Sequence, residues 1–317
     1  MRVTHGTIQP GSGPVGLSIG NFDGVHRGHR AMLGRLVAKA RELQLPACVL
    51  IFEPHPREFF ASSAAPARLT PLREKLELIA EAGMDRVHVL RFDARLAALP
   101  AAGFVETVLV AGLGTRWLLV GSDFRFGAKR AGNFALLQRE AARLGFGLET
   151  MPEVTDEETG AATGSGQRVS SSAVRAALAA GDLAGAARLL GRDYMMSGRV
   201  AHGEKLGRRL GFPTANIVLR RRPPLAGVYV IEAQLEETRQ VLRGVASVGR
   251  RPTLREGAPP LLEVYLFDFD GELYGRHLRV KFLEKLRDEE KYAGLDALRS
   301  AIGQDVELAK DYFKING

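Results

Sequence analysis

Apolar residues are spaced in two different ways along this chain. Through the first 190 residues, short apolar runs alternate with stretches of helical period. Residues 15–19 (Val-Gly-Leu-Ser-Ile) read as a strand, after which Met32, Leu33, Leu36, Val37 and Ala40 fall on one helical face. Residues 47–52 read as a buried strand, and Thr70 and Pro71 predict the N-cap and first position of a helix that Gly83 closes. Further strands are expected at 86–90 and 117–120, with a helix over 104–110 between them. Strands separated by helix-length segments predict a parallel sheet with crossover helices, an α/β fold of the doubly wound, Rossmann-like kind. Asp182 caps one more helix, ending near Gly191.

From Met195 the spacing changes. Strand candidates crowd together at 195–202, 214–219, 227–235, 241–248, 261–269 and 275–282, and helical period returns only at 295–302 and 305–313. Successive strands joined by short turns predict an antiparallel sheet, and closing it into a β-barrel removes its edges. The expected division is a domain over 1–190 and a second over 191–317, which suits a chain of 317 residues.

Candidate chemistry lies in the turns. Residues 20–29, Gly-Asn-Phe-Asp-Gly-Val-His-Arg-Gly-His, join the first strand to its helix. Gly20, Gly24 and Gly28 allow close approach of a ligand to the backbone, and the helix start offers N–H groups to an anion. His26 and His29 can converge on one phosphate and steady the charge that develops on its oxygens. Two surface histidines at a helix start would look the same. Zinc lacks further ligands nearby in sequence, with no cysteine or acidic cluster to complete a set. Residues 52–60 carry two prolines and read as a stiff loop at the C-terminal end of a strand, where open α/β sheets place ligands. The loop at 121–132 combines glycines, Asp123, Phe126, Lys129 and Arg130, which suits a nucleotide; a packed surface turn is the alternative. Residues 153–167 read as a mobile loop, and Ser170, Ser171, Ser172 and Arg175 as an anion clamp at a helix start, or a plain serine cap with a solvated arginine.

In the second half, residues 198–216 offer Gly198, Gly203, Lys205, Gly207 and Gly211 before Pro213, Thr214 and Asn216. A Walker A match fails, because Glu204 precedes the lysine and Leu206 fills the hydroxyl position. Glycines with Lys205, Arg208 and Arg209 can still wrap a polyphosphate. Thr214 and Asn216, two apart on a strand, present oxygens on one face to a hard cation. A basic surface loop is the plainer alternative.

Residues 20–29 resemble the His-x-Gly-His signature of the nucleotidyltransferases, in the form carried by bacterial bifunctional riboflavin kinase/FAD synthetases. Residues 121–127 are similar to that family's Gly-x-Asp-Phe-x-Phe-Gly motif, 170–175 to its Ser-Ser-Thr-x-x-Arg segment, and 211–216 to the riboflavin kinase signature Gly-x-Pro-Thr-Ala-Asn. The likeness continues through Gly227-Val-Tyr, Ser247 to Thr253, Glu263 to Asp270 and Leu286-Arg-Asp-Glu, so it covers nearly the whole chain in order. It implies two ATP-dependent activities: riboflavin to FMN in the C-terminal domain, and FMN to FAD with release of pyrophosphate in the N-terminal one. His26, His29 and Arg175 would be catalytic in adenylyl transfer, with Gly20, Asn21, Phe22, Asp23, Gly28, Asp123, Phe126, Arg130, Ser170, Ser171 and Ser172 at ATP and Phe52, Pro54 and Pro56 at FMN. Glu263 would be the kinase base, Thr214 and Asn216 the Mg²⁺ ligands, and Arg287 and Glu289 flavin contacts. Ser172, Leu254, Tyr265 and Tyr292 depart from the residues usual in the family. A flavin- or ATP-binding regulatory protein without the chemistry is the rival reading, which the intact reactive positions disfavour.

Charge and composition narrow this further. The formal charge of +8 is shared equally, 22 basic and 18 acidic residues in each of 1–190 and 191–317, unlike a protein with one nucleic-acid-binding face. Cys48 is the single cysteine and sits in an apolar run, so no intrachain disulfide forms and the residue reads as core. The first residues show no apolar leader, and the apolar stretch from Phe104 to Val120 is broken by Glu106 and Arg116. The expectation is a cytoplasmic protein acting on small molecules, with no membrane or nucleic-acid partner and no sequence signature of oligomeric state.

Overall fold

A computed structural model describes residues 1–6, 13–61, 64–155, 166, 168–203, 206–238, 240–249 and 259–316. Lys205, Leu254 and most of the loop expected at 153–167 lie outside them. The chain divides into two compact units, residues 1–66 with 70–170 and residues 67–69 with 171–317.

The first unit is built on six parallel strands: β1 (Arg2–His5), β2 (Val15–Ile19), β3 (Ala47–Glu53), β4 (Arg86–Arg91), β5 (Thr115–Gly121) and β6 (Gly147–Met151). Their order across the sheet is β1-β4-β3-β2-β5-β6. All five residues of β2 are buried, as expected of a central strand covered on both faces. One face packs Val105, Leu109 and Leu137; the other packs Leu33, Leu36 and Ile79. These come from α1 (Arg27–Glu42), α2 (Leu72–Glu81), a π-helix at Phe104–Gly112, and α3 (Phe134–Leu144). The strand order reverses at β2, between β3 and β5, and a crevice opens there at the C-terminal ends of the strands. Cys48 is buried in β3, where desolvation pushes its thiol up to about 12, so it is a core residue and not a nucleophile.

Thr70 does not cap a helix. The cap position of α2 is Pro71, which has no side-chain hydrogen bond to offer, and the Thr70 hydroxyl is engaged in the β2–α1 turn instead. Part of the stiff loop expected at 52–60 is helical, because Pro56 starts a single turn (Pro56–Phe60) and His55 caps it by accepting from the Arg57 amide.

The second unit opens with α4 (Ser171–Ala179) and α5 (Leu183–Leu190), the latter capped by Asp182 through the Gly185 amide. There follow β7 (Met195–Ala201), β8 (Thr214–Val218), β9 (Gly227–Leu235), β10 (Val241–Gly249), β11 (Leu261–Leu266) and β12 (His277–Arg287), which close a barrel in the order β10-β11-β8-β7-β12-β9 with every pairing antiparallel. Alternation sends Leu262, Val264 and Leu266 of β11 inward and leaves Glu263 and Tyr265 outside. The two helices expected near the end form one, α6 (Leu295–Asn316). Gly303 costs that helix about 1 kcal/mol relative to alanine, and burial of Val306, Ala309 and Phe313 against Val230 and Val245 outweighs it.

In the first unit β1 is held at the sheet edge by His88, whose Nε2–H donates to the Gly6 carbonyl (3.2 Å) while Nδ1 accepts from the Thr4 hydroxyl (2.8 Å). Burial, only partly offset by the Gly6 hydrogen bond, lowers the pKa of this imidazole. Its neutral form therefore stabilises the fold fully above the ordinary histidine value of about 6.5, and that contribution is lost as pH falls below it. We expect the melting temperature of His88→Gln to vary less steeply than that of the unsubstituted protein between about pH 7.5 and 5; equal slopes would refute the assignment.

Candidate active sites

The β2–α1 turn holds an unusual concentration of backbone constraint. Phe22 and Val25 both adopt positive φ, 45° and 39°, although neither is glycine and both are buried. Such conformations cost on the order of 1–3 kcal/mol each and persist only where the surroundings impose them. Here the surroundings are specific. Gly20 leaves room for the Phe22 ring, whose Cε2 would lie 2.9 Å from a β-carbon there. Asp23, 2% exposed, accepts from the Thr70 amide (3.2 Å) and hydroxyl (3.4 Å), and the Gly24 amide donates to the Thr70 oxygen (3.1 Å).

His26 is the N-cap of α1: its Nδ1 accepts from the His29 amide at 3.2 Å. That bond fixes the tautomer, leaving the proton on Nε2. The two rings stack with centroids 3.6 Å apart and planes 17° apart, and Phe22 lies against His29 at 5.0 Å. Gly28 lets the His26 ring sit close over the helix start, since a β-carbon there would stand 3.3 Å from Nδ1. Burial first, then the neighbouring His26 and Lys75, hold the His29 pKa well below the ordinary imidazole range. Ring N–H groups placed to donate hydrogen bonds to an anion are what this arrangement can offer.

Beside the turn, a cleft of about 580 Å³ is lined by Arg27, Arg30, Ala31 and residues 151–154. Arg27 and Arg30 bring two guanidiniums to it from the start of α1, and Glu153 a carboxylate from the other side. Asn21 lies in the same turn, with a buried Oδ1 that has no hydrogen-bond partner among the described residues.

The other sequence-predicted residues of the first unit divide between the surface and the core. Asp123 is exposed and pairs with Arg168 (2.9 Å), which also holds Glu153 (2.7 Å). Phe126 is core, packed 5.8 Å from Phe104 and 5.4 Å from Phe124, while Arg130 is exposed. Phe52 meets Phe92 edge-on at 5.9 Å, with Pro54 and Pro56 following it. Phe59 and Phe60 complete an aromatic group around Phe92, and Phe60 is 68% exposed. Sequence reasoning does not single out Phe59, Phe60 or Phe92, nor Arg168 or the buried Lys75; the adjacent aromatics after a proline turn are the one signal that could have found them. Ser170 ends this unit, whereas Ser171, Ser172 and Arg175 belong to α4, where the Arg175 Nε donates to the Ala67 carbonyl (2.6 Å).

In the second unit the glycines and the Thr-Ala-Asn strand meet. A β-carbon on Gly203 would collide with the Asn216 amide nitrogen, and one on Gly207 with the Phe212 carbonyl and, at 3.0 Å, the Thr214 hydroxyl. Gly198 gives the same close approach to Ile217, and Gly211 turns the chain at φ +90° ahead of Pro213. Asn216 is 6% exposed, with a buried Oδ1 lacking a hydrogen-bond partner among the described residues. Glu263 lies directly across from it on β11, and Ser247 across from Glu263 on β10, so strand register alone puts three polar side chains on one outer face of the barrel.

Arg287 and Glu289 are engaged within the protein. Arg287 grips buried Asp305 of α6 through Nε (2.8 Å) and Nη2 (2.7 Å), with Tyr292 5.7 Å away, and the pair raises its pKa. The Glu289 carboxylate lies on the Cα of Gly249, where a β-carbon would be, and takes a hydrogen bond from Ser247 (3.4 Å).

Comparison with known proteins matches these two units in turn. Residues 10–165 fit the family model described as FAD synthetase, and residues 190–313 the one described as riboflavin kinase, which defines a flavin-nucleotide-forming enzyme with two ATP-using sites. The chain is 48% identical over 315 residues to the bifunctional riboflavin kinase/FMN adenylyltransferase of Escherichia coli K12, covering 99% of this chain and 97% of the relative. It is 50% identical over 294 residues to that of Pseudomonas fluorescens, covering 92% and 91%. A solved Streptococcus pneumoniae structure described as a macrolide-efflux protein covers 98% of this chain and 99% of its own, with TM-score 0.78 and 26% identity. The chain belongs to the bifunctional riboflavin kinase/FMN adenylyltransferase family. It makes FMN from riboflavin and FAD from FMN, with ATP as co-substrate in both steps. Among the described residues no helix is long and apolar enough to cross a membrane.

Thr70→Val removes the hydroxyl that serves both Asp23 and Gly24. We expect it to cost about 1–3 kcal/mol in unfolding experiments and to slow FMN adenylylation while leaving riboflavin phosphorylation near its original rate; unchanged adenylylation would show that the turn does not need this clamp.

Proposed function

We propose that each activity belongs to one half of the chain, adenylyl transfer to residues 1–190 and the kinase to 191–317, in a cytoplasmic enzyme. The observation that carries the first assignment is the stacked His26–His29 pair at the start of α1, beside an arginine-lined cleft. His26 and His29 would donate to the α-phosphate of ATP as FMN phosphate attacks it and pyrophosphate leaves. The P–O bond to the new phosphoanhydride forms as the bond to the β-phosphate breaks, and neither histidine needs to act as a base. Arg27 and Arg30 suit the departing charge. Gly20, Asn21, Phe22, Asp23 and Gly28 would shape the turn, Asp23 by holding Thr70. Asp123, Phe126 and Arg130 are assigned to the nucleotide, Phe52, Pro54 and Pro56 to FMN, and Ser170, Ser171, Ser172 and Arg175 to the remaining phosphates, on the family likeness.

For the kinase, the register of Asn216, Glu263 and Ser247 across three neighbouring strands supports a site on the outer face of the barrel, closed by Gly203 and Gly207. Glu263 would take the proton from the ribityl hydroxyl as that oxygen attacks the γ-phosphate, a step in which a placed base contributes about 10²–10⁴-fold. The donor set fits Mg²⁺: a hydroxyl on Thr214 and the unpartnered buried carboxamide oxygen of Asn216 are hard ligands, which leave further positions to phosphate and water. Bound there, Mg²⁺ would neutralise charge on the transferring phosphoryl group. Among the described residues no group of three His, Cys, Asp or Glu could hold a metal, so substrate oxygens would complete the shell. Gly198, Gly207, Gly211, Pro213 and Lys205 would border the ATP phosphates, and Arg287 and Glu289 would set the flavin edge through Asp305 and Gly249.

Riboflavin, ATP and Mg²⁺ incubated with purified protein, followed by separation of the flavins, test the whole scheme. His29→Ala should accumulate FMN and form no FAD. Asn216→Ala and Glu263→Gln should form little FMN yet convert supplied FMN to FAD at the original rate. Loss of both conversions in each folded variant would refute two independent sites.

A further inference from the structure

The Gly-x-Pro-Thr-Ala-Asn stretch leaves one position open, and Phe212 fills it. Its backbone belongs to the glycine turn: the Phe212 amide donates to the Gly207 carbonyl (2.8 Å), and its own carbonyl crowds the place a β-carbon on Gly207 would take. Two residues on, the Thr214 hydroxyl approaches the same glycine, 3.0 Å from that place. Whatever holds Phe212 therefore holds the turn and the threonine together.

The Phe212 ring is held from outside the motif. It meets Tyr265 edge-on at 5.4 Å, and its tip reaches Gly303 of α6, with Cζ 3.9 Å from where a β-carbon there would stand. Tyr265 lies directly across from Thr214, two residues beyond Glu263 on the same face of β11, with Val245 of β10 on its other side. It continues edge-on into Phe267 (5.9 Å), which meets Phe313 of α6 at 6.4 Å. The helix is itself fastened. Val306, Ala309 and Phe313 are buried against Val230 and Val245, Arg243 lies over the Phe313 ring (4.7 Å), and Arg287 grips Asp305. Edge-to-face pairs have a preferred geometry, so this row of rings fixes the place of Phe212 as well as covering it.

We propose that Phe212 is a positioning residue for riboflavin phosphorylation: seated between Tyr265 and Gly303, it couples α6 to the bend between Gly207 and Thr214 and so sets where the Thr214 hydroxyl meets the metal of Mg-ATP. Tyr265, which departs from the residue usual in the family, supplies one wall of the seat. Gly303, a helix-weakening residue in the middle of α6, leaves space at the ring tip. The inference rests on Thr214 being a ligand of that metal.

Threonine-methyl NMR of the full-length protein tests it, with the Thr214 signal assigned by its loss in Thr214→Val. Without ligand, the Thr214 signal should move in Phe212→Ala and keep its original position in Tyr265→Phe, which retains the ring. Added Mn²⁺ and ADP should broaden the signal away in the unsubstituted protein and leave it visible in Phe212→Ala at the same concentrations. The kcat/KM of riboflavin phosphorylation should fall on the order of 10²-fold in Phe212→Ala, with adenylylation of supplied FMN unchanged. Should Phe212→Ala not fold, Tyr265→Leu, which keeps apolar bulk but removes the edge-on partner, takes its place in every arm. A folded variant whose ligand-free Thr214 signal matches the original overturns the inference, and so does a rate lowered only in proportion to lost folded protein. If Mn²⁺ with ADP leaves the signal sharp in the unsubstituted protein, the metal-ligand role of Thr214 fails instead, while the ligand-free spectra still judge Phe212.

Discussion

One hydrogen bond at the start of α1, from the His29 amide to His26 Nδ1, organises the adenylyl half. It satisfies an amide that the first turn of any helix leaves open, fixes which nitrogen of His26 keeps a proton, and brings the rings into their stack. To reach it the chain passes through two left-handed residues, Phe22 and Val25. Fully buried side chains and the Asp23–Thr70 contacts make that path tolerable. Strain and capping are thus features of one seven-residue turn, placed by β2 at the point where the strand order reverses.

The kinase half solves a similar problem with a sheet. Polar side chains are brought together by strand register, in which Asn216, Glu263 and Ser247 face outward because their neighbours must face in. Glycines serve opposite purposes in the two halves: Gly24 permits a backbone angle, whereas Gly203 and Gly207 are empty space that side chains of the next strand occupy.

Most of this architecture was readable from the chain alone, since burial on two faces produces apolar runs and burial on one produces alternation. The strands that escaped, β1 and β6, are sheet edges paired on one side and half exposed, so their sequences carry no apolar run. Thr70 was misread because a cap and a tertiary clamp use the same hydroxyl next to the same proline, and only the fold reveals which amide is nearer. The break expected in α6 failed because Gly303 weighs less than the apolar face on either side of it. The histidine turn and the Thr-Ala-Asn strand were legible as motifs, being local in sequence. Arg168 and Asp305 were not, since each pairs with a residue at least 18 positions away and has no neighbours that mark it.

The carboxylate of Glu289 rests where any residue but glycine at 249 would carry its first side-chain atom. Positions 249 and 289 are consequently coupled in space: a side chain at the first displaces the carboxylate of the second. Any redesign of this end of the barrel has to begin by choosing both residues together.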